Sequence, residues 1–175
     1  MADVTTHHLA QLNVAIPRFP LDDPRMAGFM TKLDELNTIA DAADGFVWRL
    51  VSEGANDATS LRGTLGGVEL MINLSVWTGR EVLRDYVYRS GHLDLLRQRG
   101  DWFEAPDGSP LVLWWVPAGH IPTIDEGLAR LDLLRRDGPT PEAFTFRHPF
   151  DAPVGADAPA SAGGRAVSGA STAGA

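Results

Sequence analysis

Two kinds of segment alternate along this chain, and their order predicts an α+β fold: a ferredoxin-like antiparallel sheet with helices on one face. Alternating stretches within 8–16 and 69–77 read as two-faced strands. Stretches with apolar residues at helical spacing separate the strand candidates. The order strand, helix, strand, strand, helix, strand is that of the split βαβ arrangement.

The first strand candidate, residues 8–16, points Gln11 and Asn13 to one side and Leu12, Val14 and Ile16 to the other. Residues 17–20 read as a loop, after which Asp23 as N-cap and Pro24 at the first helical position open a helix. Phe29, Leu33, Leu36 and Ile39 or Ala40 form its apolar stripe, and Gly45 offers a stop. Residues 46–51 read as the second strand, with Arg49 as its one charge, and residues 52–67 as a glycine-containing loop.

The third strand candidate places Met71, Asn73, Ser75 and Trp77 on one face and Leu70, Ile72, Leu74 and Val76 on the other. A helix carrying Val82, Leu83 and Tyr86 begins near Thr78 or Gly79, and a break at Ser90 or Gly91 would re-aim His92. The turn signal from Pro106 to Pro110 leads into a strand at 111–116 that contains Trp114 and Trp115. Thr123 and Glu126 form a capping box for a last helix with Leu128, Leu131 and Leu134, and residues 143–146 add a short terminal strand. The folded domain spans residues 6–150. Residues 151–175, dominated by Ala, Gly, Ser and Pro, read as a disordered tail.

A net charge of -8 and a single lysine, Lys32, argue against nucleic-acid binding. Arg97, Arg99, Arg135 and Arg136 read as solvated complements to helix ends. With no cysteine there is neither a disulfide nor a thiolate site, and no apolar run approaches a membrane span, so a cytoplasmic protein is expected. If the helices cover the polar-lined face, the other face carries Leu12, Val14, Ile16, Ile72, Leu74 and Val76, with Phe46 and Trp48. That is too much apolar surface to leave in water, and a face-to-face homodimer would cover it.

The chain also resembles a bacterial domain-of-unknown-function family, numbered 3291. The likeness runs through HLAQLNVA at 8–15, PLDDPRMAGF at 20–29, GFVWRL at 45–50 and NLSVW at 73–77. It continues through YVYRSGH at 86–92, LVLWWVPAGHIPT at 111–123 and GPTPEAFTFRHPF at 138–150. The pattern is similar to the dimeric α/β-barrel superfamily, which includes antibiotic-biosynthesis monooxygenases and haem-degrading enzymes. That resemblance implies a dimeric barrel and, in the haem-degrading members, an asparagine on strand one, a tryptophan closing strand three and a histidine on the next helix. Asn13 and Trp77 match the first two, but Val87 and Tyr88 stand where the histidine would fall, with His92 beyond them.

If the two alternating strands are neighbours with like faces aligned, Gln11, Asn13, Asn73, Ser75 and Trp77 converge on one surface, a pocket for a small-molecule substrate. The expected enzyme is a cofactor-independent monooxygenase-like or proton-transfer enzyme acting on an apolar aromatic or polyketide-like metabolite. Asn13 would orient a carbonyl, Arg49 would stabilise an oxyanion and His92 would move a proton. Gln11, Asn73, Ser75, Trp77, Tyr88 and Trp115 would contact the substrate. The alternatives are a non-catalytic dimeric binding module and a haem-binding protein. His7 or His8, His92 and His120 could approach one another at a sheet edge, but their spacing carries no metal motif and no metal site is expected.

Overall fold

The computed structural model describes residues 6–52, 62–65, 68–89 and 92–154. The strands are β1 (His7–Ala15), β2 (Phe46–Arg49), β3 (Arg62–Leu65), β4 (Val68–Trp77) and β5 (Leu111–Pro117). The helices are α1 (Ala27–Asp41), α2 (Arg80–Arg89), α3 (His92–Trp102) and α4 (Ile124–Asp137). The antiparallel sheet runs β2-β4-β1-β5, with β3 also pairing β4, and is consistent with a ferredoxin-like fold. β3 falls inside the segment that the sequence reads as loop, and its Arg62 pairs with Met71.

Local signals place the helices. The Asp23 carboxylate accepts from the Arg25 backbone N–H and starts a 3₁₀ turn at Pro24 that runs into α1. After α1, Gly45 takes a positive φ of 80° at a point where a Cβ would lie 2.5 Å from Thr78 Oγ1, so conformation and space both require glycine. The Thr123 hydroxyl accepts from the Glu126 N–H and caps α4. Helix α2 ends at Arg89 and α3 starts at His92; the expected break, residues 90–91, lies outside the described residues. Residues 143–146 supply a bridge rather than a strand: Phe144 and Leu113 exchange backbone N–H···O bonds of 2.9 and 2.8 Å.

Helices lie on both faces of the sheet, which corrects the expectation of helices on one face. The side chains of α1, α2 and α3 stand over the odd-numbered residues of β1 and β4. On the other side Leu128, Leu131 and Leu134 of α4 pack with Leu12, Val14, Ile72, Leu74, Val76 and Trp114. Gly127 permits the close approach, since a Cβ there would come within 2.7 Å of Leu12 Cδ1. The aliphatic face is therefore covered by the chain's own last helix, and the argument for a homodimer loses its premise. The stripe on α4 was readable from the sequence; which side of the sheet it would cover was not.

One further reassignment follows from the sheet register. Phe46 pairs with Trp77 and Trp48 with Val76, so a bulge falls between them. Trp48 packs against the aliphatic cluster as expected, but Phe46 turns to the opposite face and meets Trp77 edge-on at 5.3 Å. The bulge also leaves Arg49, paired with Ser75, on that same face.

Candidate functional site

Between the sheet and helices α1, α2 and α3 lies a cavity of about 340 Å³. Its floor is the odd-numbered face of β1 and β4, where Gln11 stands opposite Ser75 and Asn13 opposite Asn73. Phe29 and Leu36 of α1, Leu83 and Tyr86 of α2, and Leu95 of α3 supply apolar walls. Asn73 and Tyr88 are exposed, Tyr88 at 60%, which puts the opening to solvent on their side.

The floor carries a directed hydrogen-bond relay. Trp77 Nε1 donates to Ser75 Oγ at 2.9 Å, and Ser75 Oγ donates to Gln11 Oε1 at 2.9 Å. An indole N–H is only a donor, so the serine must accept from it and donate onward, which commits the glutamine oxygen to acceptance. The Gln11 amide nitrogen is left with two donors and no partner among the described residues, on a side chain that lines the cavity. Trp77 itself is fixed by stacking on Tyr86 at 4.9 Å and by the edge contact with Phe46. Asn13 and Asn73 also line the cavity without a described hydrogen-bond partner for their amides.

Arg49 is held by a bidentate pair with Asp41 of α1, Nε to Oδ1 at 2.7 Å and Nη2 to Oδ2 at 2.9 Å. The arginine side chain is 9% exposed and the aspartate 46%. The hydrogen bond from Arg49 holds the Asp41 carboxyl below its usual range despite some desolvation. The guanidinium charge is thus largely balanced from behind the cavity wall. Burial raises the Tyr86 hydroxyl to about 12, against a smaller opposing pull from Arg49, and this neutral phenol donates to Leu36 O at 3.0 Å.

Of the residues expected at the site, Gln11, Asn13, Arg49, Asn73, Ser75, Trp77 and Tyr88 line one cavity. Trp115 stands apart: it shares their sheet face, but its indole donates to Phe150 O at 2.8 Å and it packs beside Phe144. His92 is the first residue of α3, and its side chain is not among those described. His120 Nε2 lies 2.8 Å from Glu126 Oε2, and among the described residues no group of three His, Cys, Asp or Glu could hold a metal ion. The lining also includes Phe29, Leu95, Arg99 and Phe146, which the sequence reading left out. Helical spacing could have flagged Phe29, but nothing local marks Arg99 or Phe146 as wall residues. No described helix is long and apolar enough to cross a membrane.

The fold and this cavity define a small α+β domain that encloses a lined hollow between a sheet and three helices. The chain belongs to the family described as domain of unknown function 3291, whose model matches residues 8–160. Among solved structures it is similar to a protein of unknown function from Nitrosomonas europaea, at 11% identity and a TM-score of 0.40, over 68% of this chain and 98% of that one. Comparison with curated proteins gives no match.

Proposed function

We propose that the protein binds an apolar, aromatic-bearing small molecule that carries hydrogen-bond acceptors. The observation behind this reading is the relay from Trp77 through Ser75 to Gln11, which turns amide donors toward a mostly apolar cavity. Such a cavity gains by burying hydrocarbon and orients it through a few fixed polar groups. A direct test is calorimetric titration with naphthalene-2-carboxamide, whose carbonyl accepts and whose rings fill apolar space. Gln11→Leu should weaken binding by roughly tenfold, the loss of about one net hydrogen bond. Equal affinity in wild type and variant would remove the relay from the reading.

A second reading is turnover: a cofactor-independent monooxygenase-like or proton-transfer enzyme acting on a polyketide-like or other planar aromatic substrate. It is favoured by the meeting of Asn13, Asn73 and Trp77 in one cavity and by the position of His92 at the start of α3. Arg49, paired with Asp41, serves this reading better as a fixed dipole than as a free cation. Oxygen uptake with a hydroxynaphthalene substrate tests it: His92→Ala should abolish turnover while leaving affinity within a factor of about two. Haem is a poor fit, because Val87 and Tyr88 occupy the wall where the resemblance expects a ligating histidine, and no described lining residue offers an imidazole. A homodimer built on the sheet face would have to displace α4, so any second copy would dock elsewhere; native mass spectrometry reads the assembly and any retained ligand together.

A further inference from the structure

The described charges around the cavity do not balance. Among its described lining residues there are two arginines and no aspartate, glutamate or lysine. Arg49 has Asp41 as its counter-ion. Arg99, partly buried in the last turn of α3, has no side-chain hydrogen bond or ion pair among the described residues. Arg97, two positions earlier on the same helix, is exposed and bonded to Asp94 at 2.9 Å, as a solvated helix-end charge would be. Complementing the helix dipole therefore does not require the placement that Arg99 has, in the lining of a cavity that also includes Leu95, Phe103 and Leu111.

We propose that Arg99 is the anchor for an anionic head group on the cavity's ligand, so that the substrate class is an apolar carboxylate. A guanidinium in partly desolvated surroundings is stabilised by an acceptor that carries charge, and its planar fork matches a carboxylate's two oxygens. No described carboxylate forms an ion pair with Arg99, in a chain whose net charge is -8. The ligand supplies that carboxylate. Arg99 also borders a second hollow, where Arg135 and His148 stand among Glu104, Asp107 and Asp132; those three carboxylates disfavour an anion there, whereas no described carboxylate lines the first cavity. Donors from Gln11, Asn13 and Asn73 then meet any further acceptors along the ligand body.

This inference rests on the binding reading above, and its test separates the two. Two probes of one shape, naphthalene-2-carboxylate and naphthalene-2-carboxamide, are titrated calorimetrically against the full chain. Wild type should bind the carboxylate roughly tenfold more tightly than the amide, since an ionic acceptor strengthens the hydrogen bond by about that factor. Arg99→Gln should erase the preference by weakening the carboxylate alone, and Arg99→Lys should keep part of it, as a point charge without the fork. Arg97→Gln should change neither affinity. A preference that survives Arg99→Gln, or a wild type that binds both probes equally, overturns the anchor and leaves the binding reading standing. If neither probe binds wild type, the binding reading fails and the anchor falls with it. Amide affinity unchanged in Arg99→Gln doubles as the check that the variant is folded.

Discussion

The two faces of the central sheet are made by alternate residues of the same strands, yet one is packed against a helix at its centre and the other encloses a polar-floored cavity. Leu12, Leu74 and Trp114 pack in one cluster with α4, and Leu12 lies so near Gly127 that a Cβ there would come within 2.7 Å of its Cδ1. One residue along in each strand, Asn13, Asn73 and Ser75 look into a cavity. The difference teaches that strand parity separates core packing from the polar lining of a cavity in this molecule. The even positions from Ala10 to Val14 and from Leu70 to Val76 carry packing, while the odd positions Gln11, Asn13, Asn73, Ser75 and Trp77 carry polarity or an aromatic wall.

The largest expected effect tests the packed face. Leu12 is fully buried, and Leu12→Ala should cost roughly 2–5 kcal/mol in denaturant unfolding. Probe affinity of the fraction that remains folded should not change. Gly127→Ala comes next and has an informative sign. Helix propensity alone would stabilise it by roughly 1 kcal/mol, whereas the new methyl meets Leu12 and should destabilise the fold by about 1–3 kcal/mol. A stabilised Gly127→Ala would mean that α4 stands further from the sheet than the packing described above.

Much of this contrast is legible in the sequence, because parity is a local property. The sorting of Gln11, Asn13, Asn73 and Ser75 away from Leu12, Val14, Ile72 and Leu74 follows from a period of two, and β1 and β4 do pair with Gln11 opposite Ser75. Three things escape a local reading. The bulge before Trp48 shifts parity without a glycine to announce it, so Phe46 changes face. The apolar stripe of α4 states that the helix packs, but not against which side of the sheet. Trp115 has the parity of a site residue, yet it belongs to the far strand, where the chain after α4 folds back and covers it with Phe144 and Phe150. Arg99 illustrates the same limit: at a helix end an arginine reads as solvated until tertiary packing places it, partly buried, in the lining of a cavity.

On the hollow face, Ser75→Ala should cost about 1–3 kcal/mol, because it leaves the buried Trp77 N–H without its acceptor and frees Gln11. Asn73→Ala, at an exposed position, should leave stability within about 0.5 kcal/mol. It should nevertheless weaken naphthalene-2-carboxamide binding by several-fold, read in the same calorimeter. A loss of stability from Asn73→Ala as large as that from Ser75→Ala would erase the division of labour between relay and rim.

The smallest effect concerns Tyr86, which walls the cavity from α2 and whose hydroxyl pKa is raised by burial to about 12. In the unfolded chain a phenol loses its proton near 10, so between about pH 10 and 12 the unfolded state binds fewer protons than the folded state. The stability that Tyr86 contributes is therefore complete below about pH 10 and is lost as pH rises through the folded value. The chain has two tyrosines and one lysine, so few groups change charge in that window. Spectrophotometric titration of Tyr88→Phe, in which the remaining phenolate signal belongs to Tyr86, should show a midpoint near 12. Tyr86→Phe should lose about 0.5–1.5 kcal/mol at neutral pH with its bond to Leu36 O, and should flatten the alkaline decline in stability. An equally steep decline in Tyr86→Phe would place the alkaline sensitivity elsewhere. It would also mean that the Tyr86 ring, stacked on Trp77, is more open to water than a cavity wall allows.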